Sequence, residues 1–136
     1  MSPDGSKVAV SQIWGTFYQT YILGITSESS ADITDLKDAR NLVWFPDSKR
    51  IAYIRSWQCE HGFCNRCCDL VVQRLPSGQI TTIHHWYYWG FQIACISKIL
   101  VTPDGMRVIT ITWCEFKDLS DKFNKFTFRT WDVSDL

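Results

Sequence analysis

The residues best suited to chemistry are concentrated in one short segment, CEHGFCNRCC, at positions 59–68. Cys59, His61, Cys64 and Cys67 are of the types that bind tetrahedral zinc, and the last two have the two-residue spacing common in zinc sites. A closed site of four such ligands would hold a long loop rigid. These four residues are therefore the metal-binding candidates of the sequence.

The alternative for this segment is a long loop between the second and third strands of a blade, with free thiols or an occasional disulfide and no metal. Strong zinc motifs contain two separated ligand pairs, whereas every ligand here lies in a single loop. Because no signal peptide is present, the thiols are expected to be reduced, and no βαβ pattern accompanies Cys64 and Cys67 to indicate a redox enzyme. The sequence thus predicts no cofactor, with structural zinc as the alternative.

No other residues form a recognisable catalytic set. His84 and His85 follow a β-branched run and are expected to end a strand at the surface, the alternative being a pH-sensitive or metal-binding group. Cys95 and Cys114 stand in apolar surroundings and are expected to fill the core. Since nothing in the sequence indicates a base beside them, no catalytic residue is assigned.

A second candidate site is an aromatic segment between two strand-rich regions. Large aromatic side chains with polar groups are favoured at binding hot spots, which predicts a surface for protein partners. The alternative is packing between neighbouring sheets. The residues concerned are Trp86, Tyr87, Tyr88, Trp89 and Phe91.

The elements that position these residues follow from a turn that occurs three times. In each copy proline supplies the φ of about −65° that a type I turn requires, aspartate follows, and glycine or serine takes the last position. The three copies are SPDG at 2–5, FPDS at 45–48 and TPDG at 102–105. Alternating apolar and polar residues after each turn predict strands over 7–14, 50–57 and 107–114.

Further short runs complete each unit, and no segment has a sustained helical period. The additional predicted strands cover 19–25, 31–34, 41–44, 69–75, 79–85, 98–101 and 125–133. Units of roughly 40–45 residues with four strands are typical of propeller blades. The sequence predicts an all-β fold of antiparallel blades in a partial β-propeller. Its expected parts are blade 1 at about 1–38, blade 2 at about 39–85, a linker at 86–96 and blade 3 at about 97–136.

The starts of the three units, SPDGSKVAV, WFPDSKRIAYI and TPDGMRVITI, resemble blade starts in WD40 and TolB-like β-propellers. The segment FRTWDVSDL at 128–136 resembles the end of the third strand of a WD40 blade. The resemblance implies a protein that binds partners through the loops between its blades. The Gly-His pair expected early in a WD40 repeat is missing, and Trp-Asp occurs in the last unit alone, at Trp131 and Asp132.

The chain supplies fewer strands than a closed ring needs. The first unit begins at its turn and the third ends after its third strand, whereas propellers close with about four to eight blades. We expect the chain to be a fragment of a longer protein. The alternative is self-association through the open sheet edges.

The overall composition excludes several classes of partner. Fourteen basic and fourteen acidic side chains cancel, which gives no electrostatic basis for binding nucleic acid or an anionic membrane. No apolar run is long enough to span a bilayer, and the N-terminus lacks the pattern of a signal peptide. The sequence therefore predicts an intracellular, cytoplasmic protein.

Three functions fit this fold. The expected one is a non-enzymatic scaffold for protein–protein interaction, because no catalytic set is recognised. The second is the propeller portion of a larger enzyme such as a prolyl oligopeptidase-like peptidase, whose blades carry similar turns, although no G-x-S-x-G elbow occurs in this chain. The third is a zinc-stabilised binding module.

The zinc hypothesis predicts stoichiometric metal in protein purified without chelator. Replacing both Cys64 and Cys67 by serine is then expected to lower the midpoint of thermal unfolding, because metal binding contributes to folding. Metal content by atomic emission and unfolding by circular dichroism measure the two effects. Metal-free protein, or a double variant that melts with the wild type, contradicts the hypothesis.

Overall fold

A computed structural model describes residues 1–14, 17–25, 33–57, 67–87, 92–116 and 125–136. Regular structure in these ranges is entirely β, which confirms the predicted fold class. They contain no helix that could cross a membrane. The strands are β1 Lys7–Trp14, β2 Phe17–Gly24, β3 Ile33–Lys37, β4 Ala39–Trp44, β5 Arg50–Trp57, β6 Cys67–Arg74, β7 Ile80–Tyr87, β8 Gln92–Val101, β9 Arg107–Phe116 and β10 Lys125–Asp132.

The strands form three antiparallel sheets, which are the blades of a partial β-propeller. Blade 1 has the order β1-β2-β3, blade 2 the order β4-β5-β6-β7 and blade 3 the order β10-β9-β8. Neighbouring strands in each blade are consecutive in the chain. Asp38, with φ of 54°, is the single residue between β3 and β4, so blade 1 leads directly into blade 2.

The segment expected to be a linker, 86–96, is partly strand. β7 continues to Tyr87 and β8 begins at Gln92. The physical reason is backbone pairing: Trp86 is opposite Cys68 in blade 2, and Gln92 is opposite Phe116 in blade 3. Pairing satisfies the backbone N–H and C=O groups that a linker would expose.

The repeated turn has the same geometry in all three copies. In each, the last residue donates its backbone N–H to the carbonyl three residues earlier, at 2.8–3.1 Å. That last residue has positive φ: 74° at Gly5, 57° at Ser48 and 70° at Gly105. The side chains of Asp4, Asp47 and Asp104 each accept the N–H of the residue two positions on.

The blades pack face to face because both faces of blade 2 are apolar. Along β5, Ile51 and Tyr53 point into a cluster shared with blade 1, while Ala52 and Ile54 point into a cluster shared with blade 3. Such period-two alternation places successive side chains on opposite faces. The cluster shared with blade 1 includes Ile22, Leu36, Val71 and Leu75. The cluster shared with blade 3 includes Phe45, Leu70, Val72, Ile99, Val108 and Val133.

Blades 2 and 3 are also joined by the guanidinium of Arg50. Its Nη1 donates to the carbonyl oxygens of Val133 and Leu136, at 3.3 and 2.8 Å, and its Nη2 donates to that of Gly105, at 3.2 Å. Nε donates to Asp47 Oδ2 at 2.7 Å, and the guanidinium carbon lies 4.4 Å from the ring centre of Phe45. One side chain therefore holds the turn of blade 2 against blade 3.

Replacing Gly105 by alanine is expected to destabilise the protein more than replacing Gly5 by alanine. Both positions have positive φ, so each substitution costs about 1–2 kcal/mol in backbone strain. A Cβ at Gly5 meets no atom within 4 Å, whereas a Cβ at Gly105 lies 3.2 Å from Arg50 Nη2 and 3.5 Å from Pro46 Cδ. Urea unfolding measures both variants, and equal losses would contradict the proposed contact with Arg50.

Candidate functional site

An irregularity in β6–β7 pairing sets the directions of the two adjacent histidines of β7. The register shifts between Leu70 and Val71, which is a β-bulge or a similar irregularity, and beyond it His84 lies opposite Leu70 and His85 opposite Asp69. His84 consequently shares the face of blade 2 that packs on blade 3. His85 shares the opposite face, with Asp69.

On the His85 face, the carboxylate of Asp69 is buried between two basic groups. Its Oδ2 accepts a hydrogen bond from Arg55 Nη2 at 2.8 Å, and its Oδ1 lies 2.7 Å from His85 Nδ1. The Asp69 side chain is 3% exposed, whereas those of Arg55 and His85 are 38% and 51% exposed. A buried carboxylate is tolerated here because two donors satisfy it.

On the opposite face, His84 joins blades 2 and 3 through an aromatic cluster. Its ring lies 4.6 Å from the rings of both Trp86 and Trp131, meeting the first edge-on. Trp131 also donates its indole N–H to Thr110 Oγ1 at 3.2 Å. Nη1 of Arg129, on β10, lies 3.5 Å from His84 Nε2.

This environment lowers the pKa of His84 below its usual value. Burial against the two indole rings is the largest cause, because it disfavours the charged imidazolium. The positive charge of Arg129 and the neighbouring His85 act in the same direction. His84 is therefore held towards its neutral form beside a permanent cation.

A cleft of about 580 Å³ opens beside this cluster, between the outer strands of the two blades. Its blade 2 wall comes from β7 and its blade 3 wall from the end of β10 and the residues that follow. The lining residues are Thr81, Thr82, Ile83, Trp131, Asp132, Val133, Ser134, Asp135 and Leu136. Four of these lining residues are apolar and five are polar, so the walls of the cleft are of mixed character.

Of the predicted aromatic site, the structure describes the first two residues, Trp86 and Tyr87. Trp86 is half-buried and packs against the core between blades 2 and 3, and Tyr87 is the last residue of β7. Tyr88, Trp89 and Phe91 lie outside the described residues. A partner surface at this segment therefore stays a prediction.

Most of the predicted metal-binding segment also lies outside the described residues. This holds for Cys59, His61 and Cys64, whereas Cys67 is the first residue of β6. Within the described ranges, His, Cys, Asp and Glu side chains form no group of three or more that could hold a metal ion. The zinc hypothesis stays untested.

The residues that the structure brings together were mostly not candidates from sequence. Asp69 stands at the start of an apolar run and Arg129 in an alternating strand, positions that give no indication of a partner. Their contacts join residues 14, 16 and 45 positions apart. These contacts could be identified only once the pairing of the strands was known.

Comparison with solved structures finds the same fold in part of a known enzyme. The acylaminoacyl peptidase of Pyrococcus horikoshii, in an orthorhombic crystal form, matches 98% of this chain with 23% of its own, at 16% identity and a TM-score of 0.58. Two further matches each cover 98% of this chain at 14% identity. They are an acylaminoacyl peptidase in complex with Z-Gly-Gly-Phe-chloromethyl ketone, with a TM-score of 0.49 over 25% of its chain, and the uncomplexed P. horikoshii enzyme, with 0.47 over 24%.

These matches correct one expectation. The prediction of a non-enzymatic protein is contradicted, because the solved structure that shares this fold at a TM-score of 0.58 is part of a peptidase. The chain spans about a quarter of the length of the matched structures. No protein-family model matches the sequence, and no curated protein matches it in sequence comparison.

Replacing Asp69 by asparagine is expected to lower the free energy of unfolding by about 1–3 kcal/mol, since an amide offers one acceptor oxygen where Arg55 and His85 need two. The matched control is Asp35→Asn, on an exposed position of β3, which should stay within about 0.5 kcal/mol of wild type. Urea unfolding at neutral pH measures both. Equal stability of the two variants would show that the buried carboxylate contributes nothing.

The lowered pKa of His84 predicts a loss of stability on acidification. Because its pKa is lower in the folded than in the unfolded chain, its contribution is complete above about pH 6.5 and disappears as pH falls through the folded value. Replacing Arg129 by glutamine should raise the pKa of His84, while Arg74→Gln, an exposed arginine of blade 2, should leave it unchanged. NMR titration of the imidazole protons measures the pKa, and identical curves in all three proteins would refute the coupling.

Proposed function

We propose that this chain is the β-propeller portion of a larger peptidase of the acylaminoacyl peptidase type. The observation that carries the proposal is the correspondence of 98% of the chain with one part of the P. horikoshii enzyme. In this proposal a further domain supplies the nucleophile and its base, and the blades hold that domain and its peptide substrate.

The outer face of blade 3 supports a larger assembly. Phe126 and Phe128 on β10 are 59% and 68% exposed, and Leu100 on β8 is 38% exposed. Their register places them on one face, together with Ile109 and Ile111 of β9. An apolar sheet face of this kind normally packs against another element, and in the proposed enzyme that element is the next blade.

The contacts of the two described histidines fit this division of roles. His85 is bonded to a buried carboxylate, and His84 lies between two indole rings that connect the blades. Both arrangements fix a ring within or between sheets. They suit a part of an enzyme that binds and orients the substrate, while another domain of the same protein cleaves the bond.

The experiment isolates the native polypeptide from its source with an antibody raised against residues 1–136. We expect it to be heavier than the 15.8 kDa of this chain and to release the acylated first residue from an N-acetylated peptide. Sequencing of the isolated polypeptide should also reveal a hydrolase domain with a G-x-S-x-G elbow.

Material isolated with a non-immune antibody is the control for contaminating peptidases. A native polypeptide that contains residues 1–136, has no hydrolase domain and leaves the acetylated peptide intact would overturn the proposal.

A further inference from the structure

Arg129 and His84 bring two basic groups together at the junction of blades 2 and 3. Nη1 of the guanidinium lies 3.5 Å from Nε2 of the imidazole, although the residues are on different blades. Two basic groups at this distance do not stabilise each other when both are charged. The arrangement favours a neutral imidazole next to a charged guanidinium, which agrees with the lowered pKa of His84.

The positive charge of Arg129 has no carboxylate partner among the described residues. The ion pairs in this part of the chain join Arg50 to Asp47 and join Asp69 to Arg55 and His85. A guanidinium presents five N–H donors, and its planar shape matches a carboxylate in a two-point contact. Arg129 is exposed, so its remaining donors are accessible to an anion from solution.

The surroundings of the pair suit a ligand with an apolar part. Trp86 and Trp131 flank His84, with their ring centres 6.2 Å apart and their planes nearly perpendicular. Trp131 is also a wall of the 580 Å³ cleft, which continues along Thr81, Thr82 and Ile83. An anion bound at Arg129 would therefore have an aromatic and partly polar cleft beside it for the rest of the molecule.

The charges along the cleft also orient an anionic ligand. Asp132, the last residue of β10, and Asp135, which follows the strand, both line it. Asp132 is held ionised, because the backbone N–H and the hydroxyl of Ser134 donate to its carboxylate and lower its pKa. Like charges repel, so the anionic end of a ligand is directed towards Arg129.

We propose that Arg129 and His84 bind the terminal carboxylate of a short peptide whose side chains lie against Trp131 in the adjacent cleft. Arg129 supplies the charge, and His84 becomes a second donor when the bound carboxylate favours its protonated form. The choice of a peptide rests on the function proposed above, whereas the preference for a carboxylate rests on the charges and distances of the site.

The test is an NMR titration of the His84 imidazole in the 136-residue chain. The probes are acetyl-Ala-Phe with a free carboxylate, the same dipeptide as its C-terminal amide, and inorganic phosphate. We expect saturable shifts and a raised pKa of His84 with the free carboxylate. The amide should bind at least about tenfold more weakly, because it lacks the charge that Arg129 recognises.

Two variants make the test specific. Arg129→Gln should weaken binding of the carboxylate probe at least about tenfold, and the matched control Arg74→Gln should bind like wild type. Because both arginines are exposed, neither change is expected to unfold the chain, and circular dichroism verifies this.

The inference is overturned by the absence of saturable binding, by equal binding of carboxylate and amide, or by equal binding to wild type and Arg129→Gln. Binding of phosphate without the dipeptide also overturns it, since that shows a general anion site. The result is independent of the peptidase assay on the native polypeptide. If the native polypeptide cleaves the acetylated peptide but the chain binds no carboxylate, only the proposed site is refuted. If the chain binds the carboxylate but the native polypeptide cleaves nothing, only the proposed function is refuted.

Discussion

Blades 2 and 3 are joined by the apolar cluster between them and, at their turns, by the interactions of one side chain, Arg50. Its guanidinium contacts the turn of its own blade through Asp47, the turn of blade 3 through the carbonyl of Gly105, and the end of the chain through the carbonyls of Val133 and Leu136. A permanently charged group with five donors suits this position, because it can donate to several carbonyl oxygens and a carboxylate at once. The backbone of Gly105 therefore lies close to the guanidinium. A Cβ at this position would be nearer to Arg50 than an ordinary van der Waals contact allows.

The packing of blade 3 on blade 2 also determines which residues of the outer strands, β7 and β10, meet. With blade 3 held on blade 2, β7 and β10 face each other, and the odd-numbered residues of β10 point towards blade 2. Trp131 and Arg129 thereby meet Trp86 and His84. The cleft beside them exists because two twisted sheets that are packed at their inner strands diverge at their outer strands. The candidate site is thus a product of how the blades pack.

The two histidines of β7 show how strongly a sheet separates neighbouring residues. His84 lies among aromatic rings beside a cation, where the imidazole is favoured in its neutral form. His85, one position on, lies against a buried carboxylate. The anion site proposed at Arg129 of β10 uses His84, which lies on the face of β7 that packs on blade 3.

The sequence by itself determined the strands and the turns that connect them. Proline and glycine restrict φ locally, and alternation of apolar residues has the same period as a strand, so 2–5, 45–48 and 102–105 could be assigned without any knowledge of distant contacts. It also indicated blades of three, four and three strands, as the structure has them. The tertiary structure alone decided that 86–87 and 92–96 are strand, because their backbone partners lie in other segments. It alone paired Asp69 with Arg55 and His85, and His84 with Arg129. Those contacts depend on register and on a shift at Leu70, and a one-residue change of register would turn each side chain to the other face.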